Sequence, residues 1–157
     1  MKKEIMLSFV MMGAMMLPVH AEDTPQTGDT ELSYEQASTY TLSIPTNISL
    51  SDSADQELEI KLSAANIRPD QKVEVKCSDG IDASSLVTLT RTGGGEIKVK
   101  VTTDGTSGVT SSQVLASFVN HETTASTGGK IQFAKIENVD SGSYTGKVTF
   151  TAALETN

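Results

Sequence analysis

The feature that most constrains this chain is a period-two alternation of apolar and polar residues that recurs in short runs. "ELEIKLS" (57–63) places Leu58, Ile60 and Leu62 on one side and Glu57, Glu59 and Lys61 on the other. "KVEVKCS" (72–78) repeats the scheme with Val73, Val75 and Cys77, and "EIKVKVT" (96–102) with Ile97, Val99 and Val101. "YTGKVTFTAAL" (144–154) does so with Val148, Phe150, Ala152 and Leu154. Successive side chains of a strand point to opposite faces, so each run reads as a strand half buried against a second layer. "YTLSIP", "SLVTLTR", "VLASFV" and "KIQFAKI" are shorter candidates of the same kind.

Turn chemistry separates the runs: "RPDQ", "SDG", "TGGGE", "TDGTSG", "STGG" and "DSGS". No stretch shows a sustained helical face; "SSQVLASFVNHE" (111–122) comes nearest, and a strand fits it better. The expected fold is therefore all-β, an immunoglobulin-like antiparallel β-sandwich of seven to nine short strands over residues 38–157. Its expected core includes Leu58, Ile60, Leu62, Val73, Val75, Ile97, Val99, Val101, Val148 and Phe150. "TGGGE" is expected to close a hairpin and not to cradle a phosphate, since no helix follows it. "DSGSYTG" (140–146) resembles the tyrosine corner of immunoglobulin-like domains, with Tyr144 entering the last strand.

The N-terminus points to export. Lys2 and Lys3 precede an apolar stretch from Ile5 to Leu17, followed by Pro18 and by Val19-His20-Ala21. That run is shorter than the ~20 residues needed to span a bilayer. Residues 1–21 are thus expected to be a cleaved signal peptide, and the protein to be secreted, extracellular or held at the cell surface without spanning the membrane. Residues 22–37, acidic and poor in apolar side chains, read as a flexible leader with a marginal strand in "TELSYEQ". No LPxTG-like sorting signal ends the sequence.

The whole chain holds 12 Lys/Arg and 20 Asp/Glu, and residues 1–21 account for two of the former and one of the latter, leaving a net of −9. No basic patch interrupts that acidity, which argues against nucleic acid as a partner. Cys77 is the sole cysteine, in phase with Val73 and Val75, so no internal disulfide forms and a buried inert thiol is expected. Export with so little cysteine is a habit of Gram-positive surface proteins.

Chemistry-bearing groups are sparse. His121 is the one histidine beyond residue 21 and lies in a polar loop. With one His and one Cys, neither a nucleophile–base set nor a multi-histidine zinc site assembles. "SDSADQE" (51–57) and "SDGIDASS" (78–85) pair carboxylates in loops, as calcium sites do, but neither has EF-hand spacing, and they read as turn aspartates. No catalytic, cofactor-binding or metal-binding residue is assigned, and no cofactor is expected.

Three stretches carry a resemblance: "TGDTELSYEQASTYTLSIPTNISLSD" (27–52), "LEIKLSAANIRPDQKVEVKCS" (58–78) and "VDSGSYTGKVTFTAAL" (139–154). They resemble segments of small secreted surface proteins of Firmicutes. The last is also similar to the closing strand of chaperone-usher fimbrial subunits and spore-coat-U-like domains. The first resemblance implies a non-catalytic adhesion or structural module whose partner is a surface protein or glycan. The second implies a pilin-like subunit joined to its neighbours by strand addition. A secreted domain binding a small ligand or calcium is the remaining alternative. A monomer is expected, because Leu32 and Tyr34 are the only apolar anchors the leader offers to a neighbour's sheet edge.

Overall fold

A computed structural model describes residues 30–157. The segment expected to be a signal peptide and the start of the expected leader, residues 1–29, lie outside the described residues. By its contacts the chain divides into Met1–Tyr34 and Glu35–Asn157. In the described part of the first unit, Leu32 and Tyr34 are exposed, and no strand forms between residues 30 and 38. The marginal strand expected in "TELSYEQ" is therefore not present. Its alternation spans only two apolar positions, and pairing begins instead at Thr39, where Tyr40 and Leu42 alternate and pack on the core.

The second unit is all-β. Its strands are β1 (Thr39–Ser43), β2 (Gln56–Glu59), β3 (Lys61–Asn66), β4 (Gln71–Asp79), β5 (Leu86–Arg91), β6 (Glu96–Thr102), β7 (Val114–Val119), β8 (Thr127–Gly128), β9 (Lys130–Phe133), β10 (Tyr144–Thr145) and β11 (Thr149–Thr156). Nine of these are four residues or longer, and β8 and β10 have two residues each. All pairings are antiparallel. One sheet runs β10-β5-β6-β9-β2, a second runs β11-β4-β7-β8, and β1 pairs with β3. The arrangement is sandwich-like, with one continuous apolar core.

Local chemistry explains the elements. Three glycines, Gly93 to Gly95, all take positive φ and close the β5–β6 hairpin, where Arg91 N–H donates to the Gly95 carbonyl at 2.8 Å. In the β4–β5 turn Asp82 accepts from the amides of Ser84 (2.8 Å) and Leu86 (3.0 Å), an Asx-type device. Asp104 does the same after β6, taking up the amides and hydroxyls of Thr106 and Ser107. Those four donors hold its carboxyl far below the usual carboxylate range, the Ser107 amide contributing most.

Two of the expected strands are divided. "ELEIKLS" becomes β2 and β3, joined at Ile60, whose N–H leaves the ladder to donate to Gly129 O at 2.7 Å. The alternation survives the break, so Leu58, Ile60 and Leu62 all remain buried. "YTGKVTFTAAL" is likewise not one strand. Tyr144 and Thr145 pair with β5 in the five-stranded sheet, whereas Thr149–Thr156 pair with β4 in the other. Residues 146–148 cross between them. Gly146 makes that crossing possible, because a Cβ there would overlap the Leu89 side chain and the Thr88 carbonyl. Gly80, at φ +92°, admits the Lys147 carbonyl on the other side.

Seven of the ten expected core residues are buried: Leu58, Ile60, Leu62, Val73, Val75, Val99 and Val101. Ile97, Val148 and Phe150 are only partly buried against the core. Ile97 follows the hairpin tip, and Phe150 lies on β11, which is flanked on one side alone. The centre of the core comes instead from shorter runs: Leu115 and Phe118 of β7, Ile131 and Phe133 of β9, Val87 and Leu89 of β5. Cys77 is buried and free. Burial raises its pKa, and its Sγ donates to the Asp79 carbonyl at 3.4 Å.

Candidate functional site

Where the chain passes between the sheets, it leaves a cleft of about 560 Å³. Three stretches build it. Residues 45–50, "PTNISL", run without strand pairing along one side, with Ile48 and Leu50 packed on the core. Residues 142–150 form the opposite side, and Leu58, Val87, Leu89 and Phe133 close the inner wall. Its size falls within the range of ligand pockets; its buried wall is aliphatic and aromatic, while Thr46, Asn47, Ser49 and Thr145 add polar side chains at exposed positions.

The rim is held by local bonds. Tyr144 O–H donates to the Asp140 carbonyl at 3.0 Å, four residues upstream, which is the hydrogen bond of a tyrosine corner. Arg91 ties down the same turn, pairing with Asp140 at 3.2 Å and donating from Nε to the Gly94 carbonyl at 2.8 Å. The Tyr144 hydroxyl thus serves the fold. Lys147 is the one charged residue in the lining.

The groups that the sequence singles out for chemistry lie elsewhere and apart. His121 lines a smaller hollow of about 410 Å³ beside residues 36–38 and 66–69, where its Nδ1 lies 3.3 Å from the Ala65 carbonyl. Asp82 is taken up by its own turn and by Lys98 at 3.6 Å. Its pKa is lowered, chiefly by the Leu86 amide. Asp55 accepts the Lys135 amide at 2.9 Å and so joins the segment before β2 to the stretch just after β9. Among the described residues no group of three or more His, Cys, Asp or Glu converges. Nor is any helix there long and apolar enough to cross a membrane.

Sequence reading missed the cleft. Its one legible trace was "PTNISL", an apolar-containing stretch too broken by Pro45 and Asn47 to read as a strand. No protein-family model, curated protein or solved structure matches the chain.

Proposed function

We propose that this protein is a secreted, non-catalytic module that acts at the cell surface in adhesion or as a structural element. The observation that carries the reading is the cleft itself. The cleft combines a buried apolar wall with exposed hydroxyl, amide and lysine side chains, and no carboxylate, histidine or thiol lines it. The Tyr144 hydroxyl is taken up by the Asp140 carbonyl, and Lys147 has no second titratable partner in the lining, which favours binding over catalysis. The N-terminal segment, the acidic surface and the resemblance to Firmicutes surface proteins support the location. A surface protein or glycan is the partner class proposed.

The decisive experiment is done on cells. Intact cells should be labelled by antibody against residues 38–157, and deleting the protein should reduce attachment several-fold without altering growth. A cytoplasmic location, or unchanged attachment, refutes the reading. A pilin-like alternative draws support from β11, an eight-residue edge strand without Lys or Pro to guard it. Polymers seen by electron microscopy that persist at low concentration would favour that alternative. Small-ligand binding draws support from the volume of the cleft.

A further inference from the structure

Charge singles out one residue of the cleft. The described residues include ten Lys and Arg, and eight of them pair with carboxylates, as an acidic surface makes easy. Lys100 and Lys147 do not. Lys100 is on the solvent face of β6. Lys147 lines the cleft, whose buried wall is apolar. An unpaired cation beside a desolvated apolar wall favours a ligand with the opposite distribution: an anionic head and an apolar body.

The wall narrows the class further. The polar side chains of the lining, Thr46, Asn47, Ser49 and Thr145, are all at exposed positions, whereas its buried residues, Leu58, Val87, Leu89 and Phe133, are apolar, so the depth of the cleft offers a sugar or peptide backbone no convergent donors or acceptors. A purely apolar ligand would leave Lys147 without a role, and a cationic amphiphile would meet like charge. We infer that the cleft is a binding site for a free medium-chain acyl carboxylate, its chain against Leu58, Leu89, Phe133 and Phe150 and its head at Lys147. This goes beyond the adhesion reading and does not depend on it. Failure of ligand binding would leave that reading standing, because that reading is tested on cells.

The test uses the secreted chain from residue 22 and isothermal titration at low ionic strength, with dodecanoate, dodecanol and dodecyltrimethylammonium as probes, each below its micellar concentration. The expected result is saturable one-to-one binding of dodecanoate with a negative heat-capacity change and a raised melting temperature. Lys147→Glu, an exposed change compatible with folding, should weaken dodecanoate about three- to five-fold, the scale of an exposed ion pair, and leave dodecanol unaffected. Ser49→Trp, at an exposed position of the lining, should weaken both probes together. The inference is overturned if dodecanoate shows no saturation, if dodecyltrimethylammonium binds as tightly, or if neither variant changes the affinity. Binding to anionic vesicles without binding to monomeric dodecanoate overturns it too, and points to a membrane surface instead.

Discussion

Phe118 and Phe150 are the same residue type, and the structure assigns them unequal energetic roles. Phe118 has no exposed surface and faces Val73 across the β7–β4 ladder, with β8 on the other side of its strand. Phe150 faces Cys77 from the edge strand β11 and stays partly exposed. Removing a fully buried phenylalanine side chain costs ~3–5 kcal/mol, from lost transfer energy and from the cavity left behind. At an edge the neighbours relax and water fills the gap, so Phe150→Ala should cost about half that, ~1.5–2.5 kcal/mol. For a domain of this size each kcal/mol moves the melting temperature by roughly 3–5 °C. Phe118→Ala should therefore lower it by roughly 9–25 °C, and Phe150→Ala by roughly 5–12 °C. Urea unfolding followed by far-ultraviolet circular dichroism gives both values, provided the m-value is unchanged. Equal costs would show that β11 is covered on both sides, and the sheet order would be wrong.

Three further outcomes are expected. Asp104 has a folded-state pKa below its unfolded one, so its contribution is complete above the ordinary carboxylate pKa of about 3.9 and declines as pH falls below it. Asp104→Ala should accordingly lower the melting temperature at pH 7, and the gap from wild type should shrink steadily in melts taken from pH 4 toward pH 2. Cys77, buried and with its pKa raised, should resist a thiol reagent such as dithionitrobenzoate in the native protein and react within seconds in guanidinium. Tyr144→Phe removes the corner hydrogen bond alone and should cost about 0.5–1.5 kcal/mol by urea titration, with the circular dichroism spectrum unchanged.

The fold class was legible because the pleat is a local property. Wherever apolar residues alternate, the inward set is determined before any partner strand is known, and Leu58, Ile60, Leu62, Val73, Val75, Val99 and Val101 were identified on that ground. The "TGGGE" hairpin and the Tyr144 corner were legible for a similar reason, since a glycine run and an Asp-to-Tyr spacing act over a few residues. Burial of Phe118 was not, because "VLASFV" is too short and too apolar for its period to be measured, and its depth comes from flanking strands. The cleft was not legible at all. It exists because the chain changes sheets at residues 146–148 while a stretch far upstream, 45–50, runs beside the crossing without pairing. The sequence by itself determined which side chains turn inward, along runs of a few residues. Only the tertiary structure decided which sheet each run joins and where the two sheets leave a gap. A strand that switches sheets keeps its period of two through the switch, and the hydrogen bonds that move it come from residues far away in the chain.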